Sequence, residues 1–192
     1  MDHVSSWLQA AVLPDWWDVA NVRCKTLSVW HIFALSQLGN AYFTGQAPDK
    51  DAALSLLLFC SRDWREGRKL ILSDKALVRA IRSVGRKVRR VAWDKLDGCI
   101  REYLDGCTRA PGHKQTSGKS EGRMAAAPIE WALVAWMTEG DPTRVEAAWN
   151  APYVVARCMF DAARDIRGED STLETMDEER RYDAYAARKA KP

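Results

Sequence analysis

The chain has 192 residues, 47% of them hydrophobic and 29% charged, with 29 Lys and Arg against 26 Asp and Glu and a formal net charge of +3. That balance excludes a charge-dominated disordered chain and a fibrous repeat, and the length suffices for one domain, or a domain with a smaller appendage, around a buried core. The longest apolar run, 52–60, is interrupted by Ser55 and falls short of the roughly 20 residues a membrane-spanning helix needs.

Residues 1–25 carry the adjacent Trp16 and Trp17, Pro14 and no sustained period, which predicts a partly ordered arm with at most a short helix. Asp15 and Asp18 interrupt any apolar leader, so a soluble cytoplasmic protein without membrane contact is expected. From Thr26 the pattern turns helical: Leu27, Trp30, Phe33 or Ala34, and Leu38 recur at three and four, and Gly39-Asn40 stops the run. A second helix begins at Pro48-Asp49, where the aspartate can accept first-turn N–H groups, and continues through Leu54, Leu57, Leu58 and Phe59. The two form a helical hairpin joined by Gly39 to Ala47.

The third helical region is the clearest. Ser73 is a good N-cap, Asp74 suits the first turn, and Leu77, Ile81, Val84, Val88 and Val91 form one apolar stripe. At about 100° per residue, Lys75, Arg79, Arg82, Arg86, Arg89 and Arg90 fall on the opposite side. Gly85 costs about 1 kcal/mol relative to alanine without breaking the helix. Leu96, Ile100, Tyr103 and Leu104, up to Gly106, extend this helix or follow a bend.

Residues 108–124 hold three glycines and no large aliphatic or aromatic side chain, which reads as a flexible Gly/Ser/Lys linker or a long exposed loop. Gly118-Lys119-Ser120 is not a phosphate-binding loop: His113 stands where the first glycine belongs, and no strand precedes it. Pro128 suits a first helical position before Ile129, Trp131, Val134, Ala135 and Trp136, with Gly140 closing that helix. Asp141-Pro142 opens a short helix to Trp149, and Asn150-Ala151-Pro152 opens another, carrying Tyr153, Cys158, Met159, Ala162 and Ile166. Ser171-x-x-Glu174 has capping-box spacing before a final polar helix. The expected fold is all-α, a bundle of six to seven helices around a long basic amphipathic helix, divided into 1–107, the linker 108–124, and a C-terminal helical domain or subdomain 125–192.

His-Glu-x-x-His and Gly-x-Gly-x-x-Gly are missing, and the one Gly-x-Ser-x-Gly match, Gly118-Lys-Ser120-Glu-Gly122, falls in the linker with no strand before it, unlike a nucleophile elbow. The carboxylates at helical spacing, such as Asp161 and Asp165, alternate with Arg157 and Arg164 as on a solvated helix face. The five cysteines are scattered without a Cys-x-x-Cys pair, and His3, His31 and His113 lie far apart. Buried reduced thiols are expected rather than a zinc site, and His31, inside an apolar helix, reads as a core histidine. No cofactor, metal or catalytic residue is expected, and the chain reads as non-enzymatic.

Charge distribution carries more than net charge. From Arg62 to Lys95 twelve Lys and Arg face four acids, a segment of +8 that leaves −5 for the rest. Such a stripe binds phosphates, docks on an acidic partner, or is answered by the acidic segment 169–183. A helix–turn–helix reader of DNA is disfavoured, since no compact turn and scaffold helix is apparent before Arg79. The nine tryptophans serve core anchoring or contact. Arg79, Arg82, Arg86, Arg89, Arg90, Trp16 and Trp17 are therefore the candidate partner-binding residues.

Two stretches resemble a known family. Leu27-Ser-Val-Trp-His-Ile-Phe-Ala-Leu35, then Pro48-Asp49 and Leu54 to Arg62, resembles the start of small helical proteins encoded among the tail genes of long-tailed bacteriophages. Trp149-Asn-Ala-Pro152, followed by Ala162-Ala-Arg-Asp165-Ile-Arg-Gly168-Glu-Asp170, is similar to the late helix and acidic turn of tail assembly chaperones of such phages. The resemblance implies a non-enzymatic helical protein of the host cytoplasm that binds a tape-measure-type helical protein during virion assembly; a homo-oligomer is compatible with it. The alternative is a nucleic-acid-binding or virion structural protein using the basic helix 75–95.

Overall fold

The computed structural model describes residues 12–108 and 128–166, with side chains as far as Ala163. Most of the linker, the acidic segment 169–183 and the final polar helix lie outside the described residues, as does Trp7.

The first departure from the all-α expectation is a β-hairpin. Strands β1 (Trp16–Val19) and β2 (Val22–Lys25) pair antiparallel, with Trp16 opposite Lys25 and Val19 opposite Val22. The two residues between them, Ala20 and Asn21, have φ of 49° and 70°. Two successive left-handed residues give the turn whose twist matches that of the strands. Val19, Val22 and Cys24 face the core while Asp18 and Arg23 face solvent, the period-2 alternation of a half-buried ribbon.

Nine α-helices follow among the described residues. Helix α1 (Val29–Gln37) starts at Ser28, whose hydroxyl accepts from the His31 N–H while the His31 ring accepts from the Ser28 N–H, so histidine completes a capping box. The expected loop to the next helix contains a single turn, α2 (Ala41–Thr44), capped by Asn40. Helix α3 (Lys50–Cys60), capped by Asp49, buries Ala52, Ala53 and every residue from Leu56 to Cys60. Buried over most of its circumference, it runs through the centre of the molecule; α1, β2, α5 (Asp74–Val88) and α6 (Trp93–Thr108) all pack on it. Between α3 and α5 lies α4 (Trp64–Ile71), which had no counterpart in the sequence reading; the two residues Leu72 and Ser73 join it to α5.

The long basic helix is two helices. Helix α5 stops at Val88 and α6 begins at Trp93, so Arg89, Arg90 and Val91 lie in the corner, where the Val91 N–H donates to the Val88 carbonyl. Leu77, Ile81, Val84 and Val88 do form the inner stripe of α5, with Val84 and Val88 fully buried.

Helix α7 (Ile129–Thr138) begins with Pro128 at the N-cap rather than inside the first turn, and Glu139 and Gly140 end it in left-handed conformation. A 3-10 turn (Pro142–Arg144), capped by Asp141, leads to α8 (Val145–Asn150) and then to α9 (Tyr153–Ile166). These helices pack on α1, α4 and α6, and Leu133, Val134, Ala148, Trp149 and Ala156 belong to the same core as Leu35 and Leu57. Both sides of the 109–127 segment therefore build one core. The junction includes backbone pairing: Val29 N–H donates to the Ala151 carbonyl and Tyr153 N–H to the Leu27 carbonyl.

Two glycines in α6 make opposite predictions. A Cβ on Gly106 would lie 2.4 Å from the end of the Trp17 ring, whereas one on Gly98 would meet nothing within 4 Å. Gly98→Ala is expected to stabilise by about 1 kcal/mol through helix propensity. Gly106→Ala is expected to destabilise by about 1–2 kcal/mol, because forcing a rigid ring aside outweighs that gain. Urea titration of the two variants reads both signs, and stabilisation by both would refute the packing of Trp17 on Gly106.

Candidate partner interface

Two surface features collect the residues singled out by sequence, and a third lies beside them. The first is the outer side of α5 and its corner. Arg79, Arg82, Arg86, Arg89 and Arg90 are all exposed, and none forms an ion pair among the described residues. Lys75, Lys87 and Ser83 are exposed beside them, and no carboxylate interrupts the helix between Asp74 and the corner. Gly85 leaves a shallow depression of about 470 Å³ walled by Arg79, Arg82, Arg86 and Arg89. The inner side of α5 is fixed in the core, so Arg79, Arg82 and Arg86 stand on a rigid base, with Arg89 and Arg90 at its C-terminal corner.

The second feature is the hairpin. Its two tryptophans do different work. Trp17 turns inward, edge-on to Tyr103 with ring centroids 5.9 Å apart, and its indole N–H donates to the Thr26 hydroxyl at 3.0 Å. Tyr103 in turn donates to the Lys25 carbonyl at 2.6 Å. Trp16 is 40% exposed and flanked by Arg23 at 4.7 Å and Lys25 at 5.2 Å from the ring centre. Of the pair, Trp16 is the one left exposed.

The third feature is a groove of about 580 Å³ that sequence reading did not anticipate. Leu38, Ala41, Ala52, Phe59, Leu77 and Ile81 line it, drawn from α1, α2, α3 and the first half of α5. Two of its polar side chains are spent internally: Asn40 donates to the Ala52 carbonyl and the Ser55 hydroxyl, both at 2.8 Å, and Ser55 donates to the Ala52 carbonyl. Leu38 is 51% exposed at its edge, and the exposed Asp49 and Asp51 stand on its rim. Leu38 and Leu77 lie on separate elements far apart in the chain, so no local pattern could have revealed the groove.

The ionisable groups elsewhere hold structural positions. His31 is buried; Nδ1 accepts from the Ser28 N–H at 3.0 Å and Nε2 donates to the Arg62 carbonyl at 2.7 Å, which uses both nitrogens of the neutral ring. Burial pushes the thiol of Cys24 up to about 12 and that of Cys107 up to about 11, with Cys60 raised well above its usual range by the same cause. These thiols stay protonated and are poor nucleophiles. Among the described residues no group of three or more His, Cys, Asp or Glu is arranged to hold a metal ion, and no helix is long and apolar enough to cross a membrane. Tyr42 donates to Asp97 at 2.7 Å and Arg101 donates to the same carboxylate at 2.7 Å, tying α2 to α6; the Arg101 guanidinium and the Tyr42 hydroxyl hold the Asp97 carboxyl below its usual range.

The chain matches no protein-family model, no curated protein and no solved structure. Function is therefore argued from these surfaces.

Proposed function

We propose that this protein is a non-enzymatic assembly protein of the tail-chaperone type, which holds a helical, tape-measure-like partner during virion assembly. The observation that carries the reading is the apolar groove beside Leu38. Its walls are side chains of three packed helices and the α2 turn, the side chains of Asn40 and Ser55 within it are paired internally, and it is open to solvent. Such a groove accepts the apolar face of an amphipathic helix, with anchors at i, i+3, i+4 and i+7. Asp49 and Asp51 on its rim favour a partner helix with basic residues flanking the apolar stripe. The resemblance of Leu27–Leu35 and Trp149–Pro152 to phage tail proteins supports the same reading, and these two stretches touch in the fold through the Val29–Ala151 hydrogen bond.

Co-expression with a tape-measure protein encoded beside this chain tests the reading. The soluble fraction of that partner is expected to rise with the wild type and to fall back with Leu38→Asp. Leu38 is half exposed, so this variant should unfold at the wild-type temperature. An unchanged soluble fraction with the wild type, or equal rescue by a folded Leu38→Asp, would overturn the assignment.

A further inference from the structure

We propose that the arginine ridge of α5 is a second, independent binding surface, for the phosphodiester backbone of duplex nucleic acid. The reading starts from what the ridge contains and what it lacks. Arg79, Arg82, Arg86, Arg89 and Arg90 are exposed and unpaired among the described residues. All five are arginine, whose planar fork binds phosphate oxygens in bidentate fashion. At a rise of about 1.5 Å per residue, Arg79 to Arg89 covers roughly 15 Å, and a helix of about 10–12 Å diameter fits a major groove about 12 Å wide. Side chains at either edge of the ridge then reach phosphates of both strands.

An acidic protein is the competing occupant, and the ridge does not suit one. Protein interfaces draw their affinity from a desolvated centre of aromatic or aliphatic anchors inside a polar rim. Here the large apolar side chains exposed near the guanidiniums, Val78 at 46% and Trp93 at 38%, lie on the flank of α5 and beyond the corner, and the depression beside Gly85 is walled by arginines. A surface of charge without an apolar centre matches a ligand whose affinity comes from counterion release. The neighbouring helix adds to the field: α4 precedes α5 across a two-residue turn and exposes Arg68 and Lys69. A helix and a two-residue turn, which the sequence did not reveal, therefore precede Arg79.

Fluorescence anisotropy with the full chain and a generic duplex DNA of about two helical turns tests the proposal. With five phosphate contacts the log–log salt slope is about −4.5, so affinity should fall about 500-fold between roughly 50 and 200 mM salt. The triple variant Arg82→Gln, Arg86→Gln, Arg89→Gln leaves two contacts and should reduce that fall to about 12-fold. Its unfolding temperature should stay at the wild-type value, because all three side chains are exposed. The triple lysine variant keeps the charge and should keep the slope while binding more weakly. A duplex RNA of equal length, whose major groove is too narrow to admit the helix, should bind more weakly, and a preference for RNA would overturn the major-groove fit. No binding at low salt, a slope unchanged by the glutamine variant, or competition by polyglutamate as effective as by DNA would each overturn the proposal. Leu38→Asp should bind DNA like the wild type, so failure of the groove assignment and failure of this one are told apart.

Discussion

Trp149→Ala is expected to lower the unfolding free energy by about 3–5 kcal/mol, which corresponds to a melting temperature reduced by roughly 10 °C. Trp149 is 3% exposed and stands at the centre of an aromatic cluster. Its ring meets Trp131 at 5.0 Å and 87°, Trp30 at 6.2 Å and 85°, and Phe33 at 5.3 Å. Edge-to-face pairs add about 0.5–1.5 kcal/mol each beyond area burial, and three partners lose contact at once. The cavity has little freedom to collapse, because α1 and α7 already pack against each other and Trp30 is wedged against Gly67, where a Cβ would lie 2.6 Å from the indole nitrogen. The neighbouring Asn150 accepts the Trp64 N–H at 2.8 Å and so secures the first turn of α4; displacement of α8 would loosen that turn as well. Trp131→Ala is the control. Trp131 is 47% exposed, and its removal should cost less than half as much. Equal losses in urea titration, or a loss below about 1 kcal/mol for Trp149, would show that the cluster is not a cornerstone of the core.

The parts of this fold that could be read from sequence are those with local signals. The stripe of α5 repeats at 4, 3 and 4 residues, and Ser73, Asp49 and Asp141 all cap the helices they precede. The arginine ridge was legible for the same reason, since a helix of known phase fixes which residues share a side. The hairpin was not. Its strands are four residues long, and its turn is Ala20-Asn21 rather than a glycine-containing pair, so neither length nor turn chemistry announced it. Instead, tertiary contacts hold it: Tyr103 on the Lys25 carbonyl and Trp17 on Gly106. The end of α5 escaped notice because neither glycine nor proline lies between Val88 and Trp93. The groove was invisible in principle, being made by residues that only the fold brings together.

The capping box of α1 makes the stability of the molecule sensitive to mild acid. Burial pushes the His31 ring down to about 4 from its usual value near 6.5; the hydrogen bond to the Arg62 carbonyl opposes that shift, and the charge of Lys25 adds to it. Nδ1 already accepts the Ser28 N–H, so protonation there would set two donors against each other. A lowered folded-state pKa means that the unfolded chain binds the proton first as pH falls. The contribution of the neutral ring is thus complete above about pH 6.5, is lost progressively down to pH 4, and changes no further below it. The full loss is about 3 kcal/mol. His31→Gln is the informative variant, because glutamine retains capping-box geometry without titrating. It should be less stable than the wild type near neutrality, having lost the bond to Arg62, and its stability should fall less steeply between about pH 6.5 and 4. Carboxylates remote from His31, such as Asp97, titrate equally in both proteins and cancel in the difference. Denaturant titration at half-unit pH steps measures it; parallel curves for the two proteins would mean that His31 accepts a proton in the folded state as readily as in the unfolded chain.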